Sequence, residues 1–273
     1  MLWLLLIPAF ILLYLFLIAP SSTRPDDSAL RGWLYAHRGL HDGNHSVPEN
    51  SMEAFRRAVE AGYGIELDVQ LTRDGMLVVH HDGSLKRVCG VDRAIRDLTY
   101  DELCRIPLPD GSRIPLFSEV LNLVDGRTPL IVEIKHYGGA ERIAAEALKF
   151  LRAYKGAFCV ESFDPRAVAY FRRSAPDFIR GQLAAGGKWD KGSMSFPTHL
   201  LLKYLLVNAW GRPHFVAYQC QTDGNLSMWL TKRFFRPLLA GWTLRSQQAL
   251  DDARRSGYDY PIFELFTPDT QAK

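Results

Sequence analysis

The chain has 273 residues, enough for one large α/β domain or two modest ones. Hydrophobic residues make up 47% and charged residues 23%, a balance typical of a folded globular protein rather than a disordered chain. The 33 basic and 30 acidic side chains leave a net charge of +3, which argues against a nucleic-acid partner held by bulk charge. The four cysteines lie far apart without CxxC spacing, which excludes a zinc ribbon or a disulfide-dense module.

Residues 1–20 carry no charged side chain and are built almost entirely from apolar residues. About 20 such residues at ~1.5 Å rise each match a hydrocarbon core of about 30 Å, which predicts a single-pass transmembrane anchor in contact with membrane lipid. A cleaved signal peptide is the less favoured alternative, because no Lys or Arg precedes the apolar run. Arg24 and Arg31 follow the span, so the positive-inside rule favours the cytoplasmic side for the rest of the chain. We predict an anchor over residues 1–20, a linker over 21–31 and one folded domain over 32–273.

Beyond the linker, short apolar runs alternate with helical patterns, which indicates a parallel sheet with crossover helices. Nine strand candidates compete for the eight positions of a (β/α)8 barrel, so one of them must lie outside the barrel. The candidates are Trp33–His37, Ile65–Leu71, Met76–Asp82, Pro129–Lys135, Phe158–Phe163, Phe178–Leu183, His214–Gln219, Leu239–Leu244 and Pro261–Leu265.

Helix starts between these strands carry recognisable capping residues. Asn50 followed by Glu53 predicts the start of an amphipathic helix, and Thr99 with Glu102 forms a capping-box pattern. The segment Phe196–Trp210 is apolar but too interrupted to span a bilayer. We expect it to form a helix packed on the barrel, with an interfacial patch as the alternative.

Acidic side chains interrupt two of the apolar strands. Glu66 and Asp68 share one face of the strand Ile65–Leu71, although a parallel strand of an α/β protein is normally apolar on both faces. Glu133 and Lys135 share a face of their strand in the same way. Neighbouring buried carboxylates are costly without a positive partner, so either Mg²⁺ or Ca²⁺, or an arginine salt bridge, is expected between them.

Two strands end in histidines. His37 and Arg38 end the first strand, and His80 and His81 end another, with one of these two facing the barrel interior. Barrel active sites lie at the carboxyl ends of the strands. Two imidazoles near neutral pKa suit a base and an acid in phosphodiester cleavage, and an arginine fork suits a phosphate.

An ordered set of motifs carries a family resemblance. HRG at 37–39 is followed by PEN at 48–50, an amphipathic helix, ELD at 66–68, TRDG at 72–75 and HHD at 80–82. VEIK at 132–135, ESFD at 161–164 and GWTL at 241–244 continue the order. This pattern resembles the glycerophosphodiester phosphodiesterase family over roughly residues 33–265, densely in the first half and sparsely in the second.

The resemblance implies a (β/α)8 barrel and a metal-dependent hydrolase that cleaves glycerophosphodiesters to glycerol phosphate and an alcohol. It also implies specific roles for residues of this sequence. These are His37 and His81 as the acid/base pair, Glu66, Asp68 and Glu133 as ligands of one divalent cation, Arg38 and Lys135 as phosphate contacts, Trp242 as a pocket wall, and Glu49 as a polar residue near the metal or Arg38.

One departure and several alternatives remain open. The family usually closes with a Thr-Asp pair on its last strand, where this sequence has Glu264. The predicted anchor makes lysophospholipids plausible substrates beside soluble diesters. The competing functions are a phospholipase C/D-like barrel that releases a cyclic phosphate, and a non-catalytic membrane-anchored scaffold.

Overall fold

A computed structural model of the chain describes residues 2–188 and 194–269 and shows a closed (β/α)8 barrel. Eight parallel strands form the barrel, and the first strand pairs with both the second and the last, which closes the sheet. The described part of the sheet has nine strands, eight in the barrel and one, β3, outside it. They are β1 Tyr35–His37, β2 Gly64–Leu71, β3 Leu77–Val79, β4 Leu130–Ile134, β5 Phe158–Ser162, β6 Arg180–Ala184, β7 Phe215–Gln219, β8 Leu238–Leu244 and β9 Tyr260–Phe263.

Helices fill the connections between the strands and cover the outside of the barrel. They are α1 Leu2–Ile18, α2 Met52–Glu60, α3 Lys86–Cys89, α4 Tyr100–Leu103, α5 Phe117–Val124, α6 Ala140–Ala153, α7 Pro165–Ser174, α8 Phe196–Lys203, α9 Asn208–Gly211, α10 Leu226–Leu230 and α11 Gln247–Arg255. Residue 1 of the predicted anchor, and residues 189–193 and 270–273 of the predicted domain, lie outside the described residues.

Of the nine strand candidates, the one that lies outside the barrel is the short strand β3. It pairs antiparallel with the end of β2, with Val79 opposite Val69, so the two form a hairpin. The remaining eight candidates are the barrel strands, which confirms the predicted (β/α)8 barrel. Because β3 leads directly to His80 and His81, the hairpin brings both histidines back to the carboxyl end of β2.

The barrel interior has an apolar floor and a polar mouth, set by the two-residue period of the strands. Along β1 the inward side chains are Tyr35 at the floor and His37 at the mouth. Along β4 they are Ile131 at the floor and Glu133 at the mouth. The floor is a buried aromatic and aliphatic cluster in which Tyr260 packs edge-on against Tyr35 at a ring distance of 6.0 Å. Outward side chains such as those of β2 pack against the helices. Packing in the apolar floor therefore fixes the strands that carry the charged side chains of the mouth.

One predicted helix start is confirmed, and the other is displaced by one residue. The capping box of Thr99 and Glu102 begins α4. At α2, however, Ser51 rather than Asn50 is the cap, and its hydroxyl accepts a hydrogen bond from the backbone of Ala54. The prediction for Asn50 was wrong because its side chain points into the barrel mouth instead.

The N-terminal segment does not support the predicted transmembrane anchor. Residues Leu2–Ile18 of this segment form the helix α1. The last turn is tied to the barrel, because the side chain of Asn208 donates to the carbonyl of Ile18 at 2.9 Å. Over residues 2–188 and 194–269, no helix is both long and apolar enough to cross a membrane. The described residues therefore give no support to the predicted anchor over residues 1–20, to its membrane lipid contact or to the orientation inferred from it.

The apolar segment Phe196–Trp210 forms two short helices, α8 and α9, rather than one. The break falls at Leu205, whose φ of 56° interrupts the helical backbone. Leu202 and Leu205 are buried against the barrel, as expected for a packed helix. Phe196, Leu201 and Trp210 are exposed, so packing on the barrel accounts for only part of this segment.

Candidate active site

The parallel registers bring the polar inward residues to one level at the carboxyl ends of the first strands. His37 of β1 lies opposite Glu66 of β2, and Asp68 of β2 lies opposite Glu133 of β4. The next register continues this row, with Glu133 opposite Glu161 of β5. Four carboxylates from three adjacent strands thus converge at the barrel mouth, which is the end where barrel active sites are found.

Lys135 is the nearest buried cation to two of these carboxylates. Its Nζ lies 3.0 Å from Oδ1 of Asp68 and 2.8 Å from Oε1 of Glu133. Burial alone would raise the pKa of Asp68, yet the ammonium of Lys135 holds it well below its usual range. Burial also raises the pKa of Glu133, and Lys135 only partly offsets that effect. Asp68 is therefore ionised in the fold, and the ammonium stays charged beside it.

The other two carboxyl groups, those of Glu66 and Glu161, have raised pKa values. Burial and the neighbouring charge of Asp68 raise the pKa of Glu66 well above its usual value. Glu66 accepts a 3.1 Å hydrogen bond from the backbone of Arg38. Burial and the charge of Glu133 likewise raise the pKa of Glu161, and among the described residues its buried Oε2 has no hydrogen-bond partner. More negative charge converges here than the local cations balance.

This imbalance fits a divalent cation. Ligand atoms of Asp68, His81 and Glu133 lie within 4.8 Å of one another, the spacing of a shared ion. Carboxylate oxygens are the ligands that Mg²⁺ and Ca²⁺ prefer, and a buried oxygen without a partner is otherwise costly. Of the three ligands expected from the sequence, Asp68 and Glu133 belong to this group, while Glu66 lies beside it toward His37.

His37 is held by the last strand of the barrel. Its Nδ1 donates to Oε1 of Glu264 at 2.6 Å, while Nε2 lies 3.8 Å from Glu66. Arg245 contacts the other oxygen of Glu264 at 2.7 Å. Burial lowers the pKa of His37 to about 4, so the imidazole is neutral at pH 7. With the proton on Nδ1, Nε2 carries the free lone pair and faces the carboxylates.

His81, not His80, reaches the mouth. Its Nδ1 donates to Asp82 at 2.6 Å, and Asp82 is in turn held by Arg87 at 2.6 Å. His80 points away and is buried, and burial lowers its pKa to about 4. Alternation along the strand did not decide between the two histidines, whereas the family resemblance implied His81, and it is His81 that lies at the mouth.

A second ionic group surrounds Glu49. Arg38 donates to its Oε1 at 2.7 Å, and Arg87 donates to both of its oxygens at 2.6 and 2.7 Å. These guanidinium groups outweigh burial and lower the pKa of Glu49 to about 2. Glu49 therefore lies against Arg38, one of the two positions that the resemblance allowed, and it fixes both arginines at the mouth.

These residues surround one cavity of about 370 Å³. Trp242 forms part of its wall and packs edge-on against Phe163 at a ring distance of 5.7 Å. The cavity brings together most of the residues that the sequence singled out, namely His37, Arg38, Glu49, Glu66, His81, Glu133 and Trp242. Asp68 and Lys135 lie directly beneath it in contact with Glu133.

Comparison with known proteins agrees with this geometry. A sequence profile of the glycerophosphoryl diester phosphodiesterase family matches residues 37–210, more than half of the chain. The chain belongs to this family. A glycerophosphodiester phosphodiesterase of Bacillus altitudinis is 37% identical over 160 residues, covering 52% of this chain and 62% of that protein. One of Caldanaerobacter subterraneus is 35% identical over 181 residues, covering 62% and 70%. The chain thus spans just under two thirds of the first relative's length.

Two further relatives bear on fold and substrate. The crystal structure of a glycerophosphodiester phosphodiesterase from Thermotoga maritima superposes with a TM-score of 0.64 at 28% identity, covering 84% of this chain and 93% of that one. A protein of Rattus norvegicus named lysophospholipase D is 38% identical over 114 residues, covering 37% of this chain and 35% of that protein. The barrel is therefore shared along nearly its whole length with this family.

Several residues at the mouth were not assigned a site role from the sequence, among them Glu161, Arg87, Arg245 and Asn50. Glu161 carried the same signal as Glu133, an acidic residue inside an apolar strand, and could have been found by the same reasoning. Arg87 and Arg245 lie outside strands and gave no periodic signal. Asn50 was interpreted as a helix cap, but its amide donates to Oδ2 of Asp68 at 2.7 Å and so orients that carboxylate.

Proposed function

We propose that this chain hydrolyses glycerophosphodiesters to glycerol phosphate and an alcohol. The observation that carries the proposal is the single cavity in which two oriented imidazoles, His37 and His81, face a row of buried carboxylates. A phosphodiesterase needs a base for the attacking hydroxyl, an acid for the leaving oxygen and positive charge for the phosphate. The cavity offers all three: Arg38 lines it, and Lys135 lies behind it, paired with Asp68 and Glu133.

The hydrogen bonds at the mouth support a division of roles between the histidines. His37 is neutral with its proton on Nδ1, so its Nε2 is suited to accept a proton from a hydroxyl of the substrate. The carboxylate of Asp82 accepts from Nδ1 of His81 and would stabilise that ring when it is protonated. His81 is then suited to donate a proton to the leaving oxygen, and the guanidinium of Arg38 is suited to hold a phosphate oxygen.

One divalent cation, Mg²⁺ or Ca²⁺, completes the proposed site. Asp68 and Glu133 would hold it, with Glu66 as the third ligand, which leaves His81 to transfer a proton. Such an ion, when bound, offsets charge on the phosphate oxygens and lowers the pKa of a coordinated hydroxyl. The buried carboxyl groups of Glu66 and Glu161 support a site for positive charge, because burial and the charge of neighbouring carboxylates raise the pKa of both groups.

Hydrolysis of glycerophosphocholine with a chelator and metal add-back tests this proposal. We expect activity to vanish with the chelator and to return with Mg²⁺ or Ca²⁺. The variant His81→Ala should lose about 10²-fold or more in kcat, the contribution typical of general acid–base catalysis. His45→Ala is the matched control, because His45 lies exposed in a loop. Wild-type protein that is inactive with every added metal, or fully active with chelator, would contradict the proposal.

Product analysis separates the proposed hydrolase from its alternatives. Free glycerol phosphate supports the hydrolase, whereas a cyclic phosphate that persists supports the phospholipase C/D-like reaction. The non-catalytic scaffold predicts neither product. Retention of both histidines and of Glu66, Glu133 and Glu161 at one cavity argues against the scaffold.

A further inference from the structure

A second cavity, of about 530 Å³, lies beside the first at the same end of the barrel. It runs between the start of α7 and the helices α8 and α9, and we refer to it as the α8 groove. Its lining is mainly apolar and includes Phe163, Pro165, Leu201, Leu202, Val207 and Trp210. The groove is thus formed in part by the segment Phe196–Trp210, some of whose apolar side chains are not buried in the barrel core.

The α8 groove adjoins the proposed active site. Phe163 lines both cavities, and its ring is held by the edge-on contact with Trp242. His136, the residue after Lys135, lines the groove as well. A ligand that places its phosphate beside Arg38 can therefore continue past Phe163 into the groove without leaving the protein surface.

The chemistry of the groove selects an alkyl chain. Leu201 is 44% exposed and Trp210 is 57% exposed, although both line a concave surface next to a catalytic cavity. Large apolar side chains left open in a groove are typical of a binding site for an apolar ligand. The carboxylate of Asp164, which also lines the groove, is paired with Arg166 at 2.6 Å. A cationic headgroup such as choline would find little attraction there.

We propose that the α8 groove binds the acyl chain of a lysophospholipid whose phosphodiester lies in the active-site cavity. This inference rests on the proposed function and adds to it a substrate class and a place for the chain. A lysophospholipid carries a glycerophosphodiester and a single acyl chain, so it presents both parts that the joined cavities would recognise. The similarity to a protein named lysophospholipase D is consistent with this choice.

Short-chain lysophosphatidylcholines, used as monomers below the concentration at which they form micelles, test the groove. We expect KM to fall as the acyl chain lengthens from six to twelve carbons, by up to about fourfold for each methylene fully buried. The variant Leu201→Ser should raise KM for the twelve-carbon substrate by about tenfold. It should leave kcat, and the KM for glycerophosphocholine, unchanged, because Leu201 lies outside the active-site cavity.

Leu226→Ser is the matched control. Leu226 is another helical leucine, 61% exposed, and it lines neither cavity. We expect this variant to bind and cleave every chain length as the wild type does. An equal effect of both variants would mean that surface hydrophobicity, rather than the groove, determines the KM.

The outcomes for the groove and for the proposed function are separable. A KM that does not change with chain length, with glycerophosphocholine still cleaved, would overturn the groove and leave the proposed function standing. If glycerophosphocholine is not cleaved at all, the proposed function fails. Calorimetric binding of the twelve-carbon lysophosphatidylcholine then decides the groove without turnover, because Leu201→Ser should weaken binding by about tenfold.

Discussion

Nδ1 of His37 donates a 2.6 Å hydrogen bond to the carboxylate of Glu264, which joins the two strands that close the barrel. Burial would raise the pKa of Glu264, but the hydrogen bond from His37 holds it well below its usual range. An ionised carboxylate can only accept, so this contact fixes the proton of the neutral imidazole on Nδ1. The free lone pair of Nε2 therefore faces the carboxylates of the mouth.

Replacement of Glu264 by alanine should lower kcat on glycerophosphocholine by about 10²-fold, because the imidazole loses its fixed tautomer and orientation. KM should change little, since Glu264 is not among the proposed phosphate contacts. Glu264→Asp keeps a carboxylate acceptor and should recover part of the rate. Steady-state kinetics with both variants is the measurement.

Glu60→Ala provides the control for the glutamate change, because Glu60 lies exposed at the end of α2. Its kcat should equal that of the wild type. A wild-type kcat in Glu264→Ala would show that His37 needs no partner on the last strand, and the role proposed for this pair would then be wrong.

The contact also shows where sequence reasoning stops. Alternation along one strand is a local property, so it predicted that Glu66, Asp68 and Glu133 face the interior. The pairing of His37 with Glu264 joins residues 227 positions apart and depends on how the first and last strands meet. Sequence alone likewise does not reveal that the side chain of Asn208 holds the last turn of α1.

Asn50 is expected to affect metal affinity through Asp68, to which its amide donates at 2.7 Å. Loss of a residue that orients a metal ligand typically costs about 10- to 100-fold in affinity. Asn50 also has a φ of 55°, a left-handed conformation that glycine adopts freely. Asn50→Gly therefore removes the amide without backbone strain and should weaken binding of Mg²⁺ or Ca²⁺ by about tenfold, measured by calorimetry.

Asn50→Ala separates the contact from the backbone. Both variants lose the same hydrogen bond, so their metal affinities should be equal. The alanine variant should be less stable to urea by about 1 kcal/mol, because alanine is strained at positive φ. Metal affinity that stays at the wild-type value in both variants would mean that Asp68 keeps its position without Asn50.

Gly39 is required where the chain leaves β1. Its φ is 80°, and a Cβ at this position would lie 2.9 Å from backbone and side-chain atoms of Ala54 on α2. Gly39→Ala should therefore lower the free energy of unfolding by about 3 kcal/mol, the sum of positive-φ strain and overpacking. Gly257→Ala is the matched control, because Gly257 has a φ of 78° with open space around its Cβ position. It should cost only about 1 kcal/mol in urea unfolding. Equal losses in the two variants would contradict the steric argument.

The buried imidazole of His214 should make the fold sensitive to acid. Burial, together with the neighbouring guanidinium of Arg180, lowers the pKa of His214 to about 3, against about 6.5 in the unfolded chain. As the pH falls below 6.5 the unfolded state takes up the proton first, so this group destabilises the fold progressively down to pH 3. Its contribution should be at most about 1 kcal/mol between pH 6 and pH 5.

Urea unfolding at pH 7, 6 and 5 measures this dependence. The variant His214→Asn should lose less stability between pH 6 and pH 5 than the wild type, because asparagine does not titrate. His45→Asn removes an exposed histidine instead and should keep the wild-type dependence on pH. An unchanged dependence in His214→Asn would show that this histidine takes up its proton equally readily in the folded and unfolded chains, and the argument from its burial would fail.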